Sequence, residues 1–178
     1  MNKSIRAIYA GTFDPVHHGH IDLMERGAGL FEELYVGVYD HRVPSKSIVF
    51  SVDKRISMIQ ESIEHLDNVK VVPFGGLLVD FAQSVNATVL VRGMRVFSDF
   101  EFEFRMALAN KRLSPGIESV MLMTKEQHTF LSGTTVREVA SLGGDVSSMV
   151  PPHVADALYT RYEEDRNFYT KPPMSMRD

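Results

Sequence analysis

Three histidines fall within four residues, at His17, His18 and His20, directly behind the run Gly11-Thr12-Phe13-Asp14-Pro15. His17 and His20 stand three residues apart with Gly19 between them, so both imidazoles face one point if the turn winds into a helix. Gly11 lets backbone approach a ligand closely, and Thr12 offers a hydroxyl and an amide. A helix starting at the histidines adds free N–H groups at the positive end of its dipole, which suits a phosphate. The same residues could instead hold a metal ion or form a solvated helix start, and spacing alone leaves these readings open.

Other phosphate-seeking side chains lie further along. Arg92 and Arg95, in Leu90-Val91-Arg92-Gly93-Met94-Arg95, are placed just past the carboxyl end of a strand, where paired guanidinium donors can grip phosphate oxygens. Ser132 and Thr134 bring hydroxyls to an expected helix N-terminus, although capping alone would also account for them. Leu77, Leu78 and Phe81 recur at helical spacing, a pattern that core packing explains as well as a pocket does. The side-chain amide of Asn110 can both donate and accept.

The elements that must position these residues follow from periodicity. Short β-branched runs at residues 5–10, 34–39, 69–72, 88–91 and 118–123 are expected strands. Amphipathic stretches between them give helices over 20–31, 51–66 with Ser51 as N-cap, and 77–85, and a fourth from Ser98 with Glu101 completing a capping box. A last helix is expected from Pro151-Pro152 to about Arg166. The alternation of strands and helices requires crossover connections, hence an α/β fold with a doubly wound parallel sheet of about five strands, closed by C-terminal helices. Ligands in such sheets bind outside the carboxyl ends of the strands, which is where the residues above fall. One domain over 1–168 and a flexible tail over 169–178 are expected.

Composition removes several classes of function. The chain of 178 residues has no cysteine, which excludes disulfides, thiolate nucleophiles and Cys-based zinc sites. Its net charge of -4 argues against nucleic-acid binding, which needs many cations to neutralise phosphates. No apolar run is long enough to span a membrane and no signal-peptide core opens the sequence, so a cytoplasmic location is expected.

Gly-Thr-Phe-Asp-Pro followed by His-x-Gly-His resembles the signature of the nucleotidylyltransferase superfamily, with its Rossmann-like fold. The likeness extends to Arg92-Gly93-Met94-Arg95 and Asp99-Phe100-Glu101-Phe102-Glu103, which are similar to a segment of the bacterial phosphopantetheine adenylyltransferase family. Pro44-Ser45-Lys46-Ser47 resembles that family's lysine loop, and His128-Thr129-Phe130-Leu131-Ser132-Gly133-Thr134 its adenine and triphosphate motif. There are departures. Ser47 replaces a second lysine, the loop over 40–50 is longer, Gly133 and Thr134 break a run of three serines, and His128 stands where Trp or Tyr is common.

The resemblance implies adenylyl transfer from ATP to 4'-phosphopantetheine, giving dephospho-coenzyme A and pyrophosphate. By that resemblance His20 stabilises the transition state as a cationic donor, and Gly11, Thr12, Phe13, His17, Gly93, Met94, Arg95, Glu103 and residues His128 through Thr134 join it in binding ATP. Thr12, Lys46, Leu78, Arg92, Asn110 and Glu138 bind the acceptor. Magnesium is expected to arrive with ATP, because the sequence has no dedicated carboxylate cage. A homohexamer and feedback inhibition by coenzyme A are implied by the family alone. The alternatives are the same chemistry on nicotinamide mononucleotide, flavin mononucleotide or, with CTP, a polyol phosphate; a non-catalytic nucleotide or coenzyme A sensor; and a metal hydrolase built on the three histidines.

Overall fold

In the computed structural model, residues 5–41 and 48–170 are described. Five strands, β1 (Arg6–Gly11), β2 (Glu33–Tyr39), β3 (Val69–Phe74), β4 (Val89–Met94) and β5 (Glu118–Met123), form one parallel sheet in the order β3-β2-β1-β4-β5. Between and after them run α1 (His18–Leu30), α2 (Val52–Ser62), α3 (Leu78–Ser84), α4 (Phe97–Leu113), α5 (Gly133–Ser141) and α6 (Pro152–Thr170). The chain winds outward from β1 through β2 to β3, then crosses to β4 and winds the other way. The strand order therefore reverses between β1 and β4, and a crevice opens at their carboxyl ends. None of the described helices is long and apolar enough to cross a membrane.

Alternation along β1 divides the core. Ala7 and Tyr9 belong to a cluster with Leu23, Met24, Val36, Met58, Val136 and Leu158, whereas Ile8 and Ala10 pack with Val79, Ala82, Leu90 and Ile117 on the opposite face. Both faces of the central strand are covered, as a parallel sheet requires.

Several boundaries depart from the expected ones. The first helix starts at His18 rather than His20, because His17 serves as its N-cap: the ring Nδ1 accepts from the His20 amide. Histidine is not a usual cap, so sequence carried no signal. β3 runs past Val72 through Pro73, a residue tolerated because β3 is an edge strand. β4 continues beyond Val91, since Arg92, Gly93 and Met94 still pair with Met121, Leu122 and Met123. Arg92 is thus a strand residue, and only Arg95 lies past the end.

The fourth helix starts at Phe97, not at a Ser98 cap, and the carboxylate that accepts from the Val96 and Arg95 amides is Asp99, not Glu101. The second helix ends at Ser62 rather than Leu66, and the last continues to Thr170 rather than Arg166. Residues 169 and 170, assigned to the tail, are therefore helical.

Candidate functional site

The turn from β1 into α1 is fixed by two buried charges. Asp14 accepts from the Val49 and Phe50 amides at 2.8 and 3.0 Å, tying the first loop to the chain entering α2. Arg55, only 2% exposed, donates to the carbonyls of Thr12, Tyr39 and Phe50, so one guanidinium pins the ends of β1 and β2 and the start of α2. Phe13 takes a positive φ of 50° and turns its ring back under Gly11, where an added Cβ would stand 3.1 Å from the ring. Room for Phe13 is thus one reason for glycine at that position, beside any approach by a ligand.

His17 and His20 stack with ring centroids 3.5 Å apart and planes 17° from parallel. Each Nδ1 accepts the other's backbone N–H at 3.3 Å. A neutral imidazole whose Nδ1 accepts must carry its proton on Nε2, so both rings have Nε2–H as their free donor. Burial, then Arg95 and the neighbouring histidines, lowers the His17 pKa to about 3. Burial, then His17 and Arg95, holds His20 well below its usual value. In the unliganded protein both histidines are therefore neutral donors, which corrects the expectation of a cationic His20: two stacked, desolvated rings beside a guanidinium disfavour a proton on either.

These rings face a cavity of about 310 Å³ at the β1–β4 crevice. Of the residues expected to bind ATP, Gly11, Phe13, His17, His20, Gly93, Arg95, Glu103, His128, Leu131, Ser132 and Gly133 line it, as does the expected acceptor residue Arg92. Gly93 also packs against α1, since a Cβ there would collide with Leu23 Cδ1. Arg95 is aimed by Asp99 at 3.2 Å and by the Leu131 carbonyl at 2.8 Å.

Arg92 donates twice to Glu103, at 2.7 Å from both Nε and Nη2, and once to the Ala10 carbonyl. This ion pair also lines a second cavity of about 100 Å³ with Leu78, Phe102, Met106, Ala107, Asn110 and Ser119. The expected acceptor residues Leu78, Arg92 and Asn110 are brought together there, with one bidentate pair common to both cavities.

Other expected residues fall outside the two linings. Thr12 is exposed beside Gly11, Met94 ends β4, and Thr129 and Phe130 follow the turn at His128. Thr134 and Glu138 lie exposed on α5. Lys46 and most of the lengthened second loop lie outside the described residues. Conversely, Tyr9, Ala10, Gly19, Leu23 and Thr124 line the larger cavity without having been singled out. Ala10 and Leu23 resemble core positions in any sequence, Gly19 stands out only as the residue between two histidines, Thr124 follows the end of β5, and Tyr9 sits in a strand where nothing marked a ligand role.

Gly133 sits in a close corner. Arg137 donates to the Asp14 carbonyl, and a Cβ at residue 133 would meet Arg137 Nη1 at 3.2 Å and that carbonyl oxygen at 3.3 Å. Ser132 caps α5 by accepting from the Thr135 amide at 3.1 Å. Among the described residues there is no group of three or more His, Asp or Glu side chains arranged to hold a metal.

Residues 8–139 match the cytidylyltransferase-like family. Similar solved structures include a Vibrio parahaemolyticus protein assigned as a nicotinate-nucleotide adenylyltransferase, with a TM-score of 0.68 and 19% identity over 90% of this chain and 96% of that one. A second is a Plasmodium falciparum nicotinic acid mononucleotide adenylyltransferase complexed with NaAD, with a TM-score of 0.63 and 16% identity over 93% and 97% of the two chains. A third is a bifunctional NMN adenylyltransferase/ADP ribose pyrophosphatase from Francisella tularensis complexed with AMP and a manganese ion, with a TM-score of 0.65 and 13% identity. The alignment covers 93% of this chain but 53% of that larger one. At these identities the likeness establishes the Rossmann-like fold.

Proposed function

The chain belongs to the cytidylyltransferase-like family, and from that premise we propose that it transfers the adenylyl group of ATP to the phosphate of 4'-phosphopantetheine, releasing dephospho-coenzyme A and pyrophosphate. The observation that carries the choice of acceptor is the second cavity. Its walls of Leu78, Phe102, Met106 and Ala107 suit an alkyl arm, Asn110 suits that arm's amides, and Arg92 at its junction with the larger cavity suits the phosphate at the arm's end.

In this reading an acceptor phosphate oxygen attacks the α-phosphorus in line as the bond to the β-phosphate breaks and pyrophosphate leaves. The protein's part is positioning and charge stabilisation. His17 and His20 present Nε2–H to the transferring group, Arg95 adds a fixed positive charge, and the first turn of α5 offers free amides to the leaving phosphates. Magnesium enters as part of the ATP complex.

Self-association also belongs to this proposal. Phe97, Phe100, Phe104 and Leu108 form an exposed stripe along α4, with Phe97 89% exposed. So large an apolar face favours burial against a second copy of the chain. The number six rests on the family resemblance. Coenzyme A carries both the pantetheine arm and an adenine nucleotide, so the same two cavities would admit it as an inhibitor.

The test is product identification by mass after incubation with ATP, magnesium and 4'-phosphopantetheine, repeated with Asn110→Leu. Dephospho-coenzyme A is expected, with KM for the acceptor raised about ten-fold in the variant and KM for ATP unchanged. No adenylylated product from this acceptor, but product from nicotinamide or nicotinate mononucleotide, would move the assignment to the chemistry named for the similar structures.

A further inference from the structure

Tyr9 is one residue that neither core packing nor the proposed reaction accounts for. Its ring lies in the core cluster, edge-on to Phe13 at 5.4 Å and 6.4 Å from the His20 ring, and the residue is 6% exposed. Phenylalanine would fill that space equally well, so the hydroxyl needs a separate reason. A buried phenol ordinarily finds a hydrogen-bond partner, because leaving it without one is unfavourable. No protein group among the described residues bonds the Tyr9 hydroxyl. Yet this oxygen is not among the buried atoms that lack both solvent and a partner. Tyr9 lines the larger cavity.

The surroundings select what the hydroxyl meets. Burial pushes the phenol pKa of Tyr9 up, against the smaller lowering effect of Arg92 and Arg95, which Glu103 in turn opposes. Tyr9 thus stays protonated and can donate. The cavity holding the two guanidinium groups and the Nε2–H groups of His17 and His20 draws anionic oxygen, and a neutral donor set among them adds direction to charge.

We propose that the Tyr9 hydroxyl is a ligand-binding group, donating a hydrogen bond to a phosphate oxygen of the bound substrate. The inference rests on the reading of this cavity as a site for phosphorylated substrates. The phosphate can come from the nucleotide or from the acceptor, since both meet at this crevice, and titrating each alone separates them.

The experiment is calorimetric titration of wild type and Tyr9→Phe with magnesium–ATP and, separately, with 4'-phosphopantetheine, alongside thermal denaturation of both unliganded proteins. The variant is expected to bind one of the two ligands about ten-fold more weakly and the other unchanged, with no loss of thermal midpoint. Unchanged affinity for both ligands overturns the inference and leaves the proposed reaction standing. Equal weakening for both, with a lowered midpoint, also overturns it by assigning the residue to packing. Wild-type protein that binds neither ligand overturns the proposed reaction and this inference together.

Discussion

The Nδ1 atoms of His17 and His20 are both consumed by each other's backbone amides, which leaves two parallel imidazoles with only Nε2–H to offer the cavity. Burial holds both neutral, and this has a consequence for stability. In the unfolded chain each histidine takes up a proton near its ordinary value of 6.5, whereas folded His17 does so only near 3. Between these pH values the unfolded state binds more protons, so stability falls as pH drops through the window. Urea unfolding midpoints at pH 7 and pH 5 are expected to show this fall. His17→Asn keeps an acceptor for the cap and should show a smaller one.

At the shared wall of the two cavities, Arg92→Lys would retain charge but lose the paired bonds to Glu103. The expected outcome is acceptor affinity lowered about ten-fold, with nucleotide affinity nearly unchanged, read by separate titrations. A lysine variant with wild-type acceptor affinity would remove Arg92 from the acceptor site.

Restoring the serine common in the resembling family, Gly133→Ser, would drive a Cβ against Arg137 and the Asp14 carbonyl. The expected cost is about 1–3 kcal/mol, the usual range for overpacking, measured by chemical denaturation. Stability equal to wild type would mean that Arg137 can withdraw without loss.

Charge on the exposed α4 stripe tests self-association. Phe100→Glu and Phe104→Glu are expected to shift the sedimentation coefficient toward that of a single chain, because each would place a carboxylate in the proposed apolar contact. Unaltered sedimentation would put any interface elsewhere.

Most of this arrangement is legible in sequence, for identifiable reasons. Strands such as 118–123 and the Ser51 cap stand out because β-branched runs and capping chemistry are local signals. The His17–His20 pair stands out because three residues separate them on one turn. What local pattern does not carry is tertiary in origin. Arg55 looks like a solvated helix residue until three carbonyls from separate segments converge on it. The length of β4 depends on its pairing with β5, and that pairing turns Arg92 from a loop residue into a strand residue. His17 caps a helix with a side chain rarely used for the purpose. Tyr9 reads as a core aromatic until the cavity beside it is seen.

The central claim is tested most directly by pyrophosphate release from ATP with 4'-phosphopantetheine, with nicotinamide mononucleotide, with flavin mononucleotide and with no acceptor, each in wild type and in His20→Ala. The predicted result is release that depends on 4'-phosphopantetheine and falls about a hundred-fold or more in the variant, the usual loss when a transition-state donor is removed. Release that ignores the acceptor, occurs only with another one, or survives His20→Ala at the wild-type rate would contradict the account.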